Sequence, residues 1–381
     1  MDLPTGTTFD RYVIEGSLGE GGMARVYRVR HQDLGTLHAL KVLKMGAPSI
    51  QQRLRQEGRV QATFRHPNLV SVTDVVEVEG VPGIIMEFIE GPTLEALLGR
   101  LRPSPEEALA LATGIINGVD YAHRLGLIHR DLKTANVLIA FTEAGPVPKI
   151  TDFGLARLVT GEAGGGVRLT RSGQAMGTPS YMAPEQIRDA KSVDKRADIF
   201  SLGAIIYELY CGAQAFPGED ILSVFTAIAT GNYRRPRDRV ANLPDDVVRA
   251  IEGALAVKVA DRIPDCEALL TTLRGSEPPG EGDKVRRMNV TWSEGMMTSI
   301  RQQPAFQAAD ARSAALSTWD GNARSLLLDE SEAEVSRMPS DASPPSVHHP
   351  ANRRWVAPAM VGAVLVMSIF IVVLALRTWI P

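Results

Sequence analysis

The chain has 381 residues, a formal net charge of −3, 44% hydrophobic residues and 22% charged residues. These values exclude a wholly disordered or collagen-like chain and suit two domains, or one large domain with additions. Two cysteines, Cys211 and Cys266, exclude a disulfide scaffold and a cysteine zinc site and fit a reducing compartment.

The near-neutral charge lacks the basic face of a nucleic-acid binder, so no nucleic-acid partner is expected. Met1–Asp10 has no basic stretch leading into an apolar run, so no secretory signal is expected. The first elements read as strands: Tyr12–Ile14, Arg25–Val29 and Leu37–Val42 are short and separated by glycine or polar turns. A helix is predicted from near Ser49, with Gln52 three residues on as a capping box. Ser104-Pro105-Glu106-Glu107 predicts a second helix start, and Leu111, Ile115, Val119 and Ala122 repeat at helical spacing up to Gly126. A third helix covers Asp198 to Tyr210 and stops at Gly212. Strands before about residue 90 and helices after it predict an α+β chain of two lobes, a small β-rich one and a larger helical one.

Residues 275–354 change character. Glu277-Pro278-Pro279-Gly280-Glu281-Gly282 and Ser343-Pro344-Pro345-Ser346 lie in a polar stretch that buries too little apolar surface to offset chain entropy. This stretch is expected to be a disordered linker, with a weak helix around 325–336. Val356–Leu376 then carries no charge for 21 residues, which as a helix rises roughly 30 Å, the thickness of a bilayer core. Trp355 and Trp379 flank it, so a membrane helix is expected over 355–377. Arg353 and Arg354 before it, against Arg377 alone after it, place the large N-terminal part in the cytoplasm.

The chemistry sits in the first 274 residues. Leu18-Gly19-Glu20-Gly21-Gly22-Met23-Ala24-Arg25-Val26 joins two predicted strands, and glycines let a turn approach a phosphate without a Cβ in the way. Lys41 lies beyond it on a strand and Glu57 on the predicted helix. A lone lysine or glutamate is ordinarily a solvated surface charge. Three downstream motifs lift the pair above that: His129-Arg130-Asp131-Leu132-Lys133-Thr134-Ala135-Asn136, then Asp152-Phe153-Gly154, then Ala183-Pro184-Glu185. In this order, behind the glycine-rich loop and Lys41, they form the protein-kinase signature set.

Over residues 9–274 the sequence resembles the eukaryotic-type Ser/Thr protein kinases, and in particular their membrane-anchored bacterial branch. The resemblance implies a bilobal fold, with a five-stranded sheet and one main helix in the small lobe. It implies ATP and Mg²⁺ as cofactors, with Mn²⁺ as an alternative metal. Asp131 then orients the acceptor hydroxyl and takes its proton, and Lys133 offsets charge at the γ-phosphate. Asn136 and Asp152 bind the metal, and Lys41 holds phosphates and pairs with Glu57. Gly19, Glu20, Gly21, Gly22 and Met23 cover the triphosphate. Leu18, Val26 and Ala39 roof the adenine, Leu138 floors it, Met86 is the gatekeeper, and backbone groups of Glu87 and Ile89 meet the base.

Lys133 and Gly177-Thr178-Pro179-Ser180-Tyr181-Met182 resemble the Ser/Thr class. Arg262 is expected to pair with Glu185, and Asp198 to hold the catalytic-loop backbone. Arg130 offers a dock for an activation-loop phosphate, with Thr170 and Ser172 preferred over Thr160 and Thr178. Four residues depart from the family pattern: Ala24, Thr134, Gly58 and Gln61. The last two suggest a helix that sits loosely until activation. Protein substrates are implied, and self-association through the small lobe is an arrangement the family offers. A pseudokinase scaffold is the rival reading, opposed by the presence of Lys41, Asp131, Asn136 and Asp152. A small-molecule phosphotransferase is opposed by Ala183-Pro184-Glu185 and the long activation segment.

Overall fold

The computed structural model describes residues 2–20, 24–43, 48–153, 179–188, 193–218, 220–275 and 292–301. The small lobe is built from β1 (Thr8–Phe9), β2 (Tyr12–Glu20), β3 (Ala24–His31), β4 (Leu37–Leu43), β5 (Val72–Val78) and β6 (Val81–Glu87). All pairings are antiparallel, in the order β1-β2-β3-β4-β6-β5. The strand beyond the implied five is the two-residue β1, paired through Thr8↔Val13 and Phe9↔Tyr12.

Strand side chains alternate between faces. In β4, Leu40 and Val42 join Tyr12, Ile14 and Tyr27 in one apolar layer. Ala39 and Leu43 join Leu54, Ile84 and Met86 in the other. Lys41 shares the parity of Ala39 and Leu43, so it stands on that second face.

Helix α1 (Pro48–Gln61) covers the same face, against β5 and β6. It already contains Ser49, so the expected Ser49 cap does not open it. Proline holds its first position, where a missing N–H is no loss. A Cβ on Gly58 would lie 2.9 Å from Val75 Cγ2 and 3.5 Å from Ile84 Cδ1. Glycine here therefore brings α1 close to the sheet, and its role is not the loosening expected from its helix propensity.

The large lobe holds α2 (Leu94–Leu98), α3 (Pro105–Arg124), α4 (Pro184–Arg188), α5 (Arg196–Cys211), α6 (Ile221–Thr230), α7 (Pro236–Arg239), α8 (Asp245–Ala254), α9 (Cys266–Arg274) and α10 (Glu294–Arg301). The hairpin β7 (Val137–Thr142) and β8 (Gly145–Ile150) lies between α3 and α4. The capping box of α3 forms as its sequence predicts: Glu107 N–H donates to Ser104 Oγ at 3.3 Å, and Ser104 N–H to Glu107 Oε2 at 2.8 Å. Leu111, Ile115, Val119 and Ala122 are buried along α3 and pack with α5, α8 and α9 in one core. Only Arg196 and Tyr210 of α5 escape burial. Its acids Asp198 and Glu208 are therefore buried and need partners.

Part of the stretch expected to be a linker is folded onto the large lobe. Met296 of α10 is fully buried, and Trp292 packs against the same core. Ser293 N–H donates to Glu107 Oε1 at 2.7 Å. A Cβ on Gly145 would collide with the Trp292 indole. The local sequence is polar, and its few apolar residues gain burial only against a surface far away in the chain. Residues 276–291 and 302–354, the helix expected around 325–336 and the apolar run 355–377 lie outside the described residues. Among the described residues no helix is long and apolar enough to cross a membrane.

A chain ended at residue 280 is expected to melt below one ended at 301. Burying one methionine contributes about 1.5–3 kcal/mol, and each kcal/mol moves the melting point of a domain this large by roughly 2–4 °C. Equal melting temperatures by calorimetry would show that α10 adds nothing to the fold.

Candidate active site

Strand register brings the small-lobe residues together. Gly19 faces Val26, Val26 faces Lys41, and Ala39 faces Met86. Ala39, Met86 and Ile89 are buried in one apolar cluster, and Leu18, Val26 and Leu138 pack against it. Leu138 comes from the large lobe and bridges to Thr93. The residues expected around an adenine thus meet in one place. Glu87 N–H donates to Ser71 O at 2.8 Å, and its carboxylate pairs with Lys149 at 2.9 Å. Glu20 pairs with Arg25 at 2.6 Å. Gly21, Gly22 and Met23 lie outside the described residues.

The catalytic loop is held from beneath. Buried Asp198 accepts from His129 N–H at 2.8 Å and from Arg130 N–H at 2.9 Å. His123 Nε2 reaches the same carboxylate at 2.8 Å. Arg130 adopts φ +67°, a strained value for a side chain with Cβ. These bonds, and Gln186 Nε2 donating to Arg130 O at 2.8 Å, hold it there. Above this turn, Asp131 accepts from Lys133 Nζ at 2.9 Å and 3.2 Å. Asn136 Nδ2 donates to Asp131 O at 2.7 Å and to Asp131 Oδ2 at 3.2 Å. Carboxylate, cation and amide therefore form one cluster within six residues.

The second acid reaches this cluster through the hairpin. Val137 pairs with Ile150, and Thr151 N–H donates to Asn136 O at 3.0 Å, which sets Asp152 one residue beyond Asn136. Asp152 adopts φ +68° and accepts from Lys41 Nζ at 2.6 Å. Lys41 thus joins the small lobe to the large one. The side chain of Glu57, its expected partner, lies outside the described residues.

Burial works to raise the Asp152 carboxyl. The Lys41 charge and hydrogen bond, aided by His129 and Lys133, outweigh it and leave the group below its ordinary value. A carboxyl lowered by folding binds its proton more readily in the unfolded chain. The stability it lends is complete above the ordinary carboxylate range and is lost as pH falls through the lowered value. The stability gap between the native chain and Lys41→Met is therefore expected to be widest near neutrality and to narrow in acid. Urea melts at several pH values measure it, and a constant gap would contradict the pairing.

A further network escaped the sequence reading. Thr134 Oγ1 meets Tyr181 OH at 2.8 Å, and Tyr181 OH donates to Glu208 Oε2 at 2.5 Å. Burial, and then the Glu208 charge, push the Tyr181 phenol far above its usual range. Thr134, which stands where proline is common, thus ties the catalytic loop to α5. An acid near the end of an apolar helix such as α5 is the signal that could have revealed Glu208. Nearby, Arg262 grips Glu185 at 2.6 Å and 2.9 Å. Thr160, Thr170, Ser172 and Thr178 lie outside the described residues.

A strand-borne lysine facing an Asp–Lys–Asn cluster across two lobes defines a phosphotransferase of the bilobal kinase class. The protein kinase domain family matches residues 12–272, and the chain belongs to that family. Its relatives place the domain among the bacterial serine/threonine kinases. Serine/threonine-protein kinase pkn3 of Myxococcus xanthus is 31% identical over 346 residues, 88% of this chain and 61% of that protein. Serine/threonine-protein kinase PknB of Mycobacterium tuberculosis is 34% identical over 287 residues, 72% of this chain and 45% of that one. PknL of the same species is 31% identical over 344 residues, 88% of this chain and 80% of the relative. The chain thus spans less than two thirds of the first two. The crystal structure of Rad53 1-466 in complex with AMP-PNP matches with a TM-score of 0.57 at 24% identity, over 69% of this chain and 64% of that one, a likeness of fold.

Proposed function

We propose that the chain is an active Ser/Thr protein kinase, tethered to the inner membrane face through residues 355–377, that moves the γ-phosphoryl of ATP to protein hydroxyls. The observation that carries this reading is the convergence of Lys133 and Asn136 on Asp131 beside the Lys41–Asp152 pair. Asp131 accepts the proton of the incoming hydroxyl and orients it. Lys133 offsets charge that builds on the transferring group. Lys41 holds phosphate oxygens, and the apolar cluster of Leu18, Val26, Ala39, Met86, Ile89 and Leu138 encloses the base.

The donor set suits Mg²⁺, and Mn²⁺ takes the same oxygens. Asn136 uses its amide nitrogen on Asp131, which turns its oxygen the other way. Asp152 adds a carboxylate kept ionised below its usual range. Hard oxygen donors in small number are what a magnesium ion carried with phosphates requires. Bound there by Asn136 and Asp152, the ion would neutralise phosphate charge.

Arg130 is read as the dock for a phosphate on Thr170 or Ser172. Activity unchanged in the Thr170→Ala, Ser172→Ala double variant would remove that switch. The main test is transfer from labelled ATP, followed by hydrolysis of the labelled protein to its amino acids. Phosphoserine and phosphothreonine are expected; label on tyrosine alone, or on no protein, overturns the reading. The anchor is tested by sedimenting membranes: the full chain should pellet and a chain ended at 354 should not. Equal partition of the two removes the tether.

A further inference from the structure

Exposed arginines from two separate segments gather at the C-terminal end of α5. Arg102 follows α2, and Arg234, Arg235, Arg237 and Arg239 lie in and just before α7. The Arg102 guanidinium lies over Gly212, the cap of α5, where a Cβ would come within 2.7 Å of it. Arg239 Nε donates to Tyr207 OH of α5 at 2.9 Å, and that hydroxyl donates to Arg234 O at 2.7 Å. Arg235 sits over the Tyr233 ring, 5.1 Å from its centroid, and that ring packs edge-on against Tyr207. Burial raises the Cys211 thiol to about 11, and the charges of Arg239 and Arg102 oppose it together.

The acids nearby answer only part of this charge. Arg237 pairs with Asp245, and Arg235 reaches Glu252 at 3.6 Å. Among the described residues no carboxylate pairs with Arg102, Arg234 or Arg239: Arg234 donates to Asp238 O and Arg239 to a phenol. The negative end of the α5 dipole accounts for one cation at Gly212. It does not account for a surface of them.

The course of the chain favours one kind of anion. Ser104, two residues after Arg102, donates its N–H to Glu107, and the other oxygen of Glu107 takes the N–H of Ser293 at the start of α10. On the same side, Tyr210 OH of α5 reaches Pro105 O at 3.4 Å. Helix α10 is the last described element before residues 355–377. The stretch that leads to the anchor thus starts next to the uncompensated arginines. An acidic protein segment would match the same charges but would be indifferent to the place of α10.

We propose that this arginine surface seats the large lobe on the anionic headgroups of the membrane that holds the anchor. The inference rests on the reading of residues 355–377 as that anchor. Guanidinium groups suit the task, because they donate in pairs to phosphate oxygens. Each cation adds a modest attraction near an anionic leaflet, and the anchor supplies the local concentration. The surface therefore orients a tethered domain and does not hold a free one.

The test places the full chain in nanodiscs of phosphatidylcholine alone, or with about 30% phosphatidylglycerol as the anionic lipid. Arginines are labelled with a dicarbonyl reagent at roughly 0.1 M salt, where charges still act over about 10 Å, and read by mass spectrometry. Labelling of Arg234, Arg235 and Arg237 is expected to be about fivefold slower in the anionic disc, with exposed Arg59 on α1 changed less than about twofold. Salt at about 1 M, which shortens the screening length to about 3 Å, should abolish the difference. In Arg235→Glu with Arg237→Glu, two exposed positions away from the catalytic cluster, the protection of Arg234 should disappear while activity on a soluble substrate stays native. Equal labelling of the native chain in the two discs overturns the proposal. So does protection by a soluble polyglutamate peptide in the neutral disc without protection by the anionic lipid, which would assign the surface to an acidic protein segment. A chain that co-elutes with neither disc has no anchor, and the proposal falls with it. A chain held by both discs and labelled equally keeps the anchor and loses only this surface.

Discussion

Asp131→Asn is expected to lower kcat by about 10²–10⁴-fold, the range that a positioned general base contributes. The KM for ATP should change little, because no nucleotide-cluster residue lies on that side chain. The loss is chemical and not a failure to fold. Asp131 accepts from Lys133 and Asn136, and an asparagine oxygen can keep one of these bonds. The loop beneath stays fixed by Asp198 on His129 and Arg130. The melting temperature should accordingly stay within a few degrees of native. What disappears is a group able to take the proton of the acceptor hydroxyl. Native turnover in Asp131→Asn would mean that Asp131 is not the base, and label persisting equally in both preparations would trace the activity to a contaminant.

The parts of this molecule that sequence reveals are those set by near neighbours. The capping box at Ser104 needs only Glu107, three residues away, and it forms. The alternation that puts Lys41 on one face of β4 is local too, and a left-handed Gly212 closes α5. The apolar residues that the resemblance assigns to an adenine gather in one cluster, because strand register sets Ala39 opposite Met86. What stays hidden depends on contacts across the chain. Lys41 and Asp152 are 111 residues apart, and Gln61 and the Phe153 carbonyl 92 apart. No local rule gives a surface-like glutamine a backbone partner in the other lobe. Gly58 carries the same lesson: helix propensity counts it as a cost, and only the position of Val75 shows why a larger residue does not fit. Segment 292–301 is the sharpest case. Its composition reads as linker, yet Trp292 and Met296 find burial against α3 and the β7–β8 hairpin.

Arg262→Leu is expected to cost about 3–5 kcal/mol, the penalty for breaking a buried ion pair by removing one partner. The guanidinium is 0% exposed and Glu185 14% exposed. Arg262 also donates to Arg196 O at 2.7 Å and to Ala256 O at 3.1 Å, and stacks over the Phe200 ring at 5.2 Å. Leucine fills part of the volume and satisfies none of these acceptors. Removing Glu185 as well, in Arg262→Leu with Glu185→Leu, abolishes the stranded carboxylate. It should recover part of the loss, and the two carbonyls should keep the rest. Catalysis should suffer along with stability, because Glu185 shares α4 with Gln186. The Gln186 side chain donates to Arg130 O at 2.8 Å and accepts from Ala183 N–H at 2.9 Å. An α4 released from Arg262 thus loosens the turn that presents Asp131. Denaturant melts of the single and double variants, with kcat measured well below each midpoint, separate the two effects. A single variant as stable as the native chain would show that the pair is structurally idle, and a destabilised variant with native kcat would break the link from α4 to the catalytic loop.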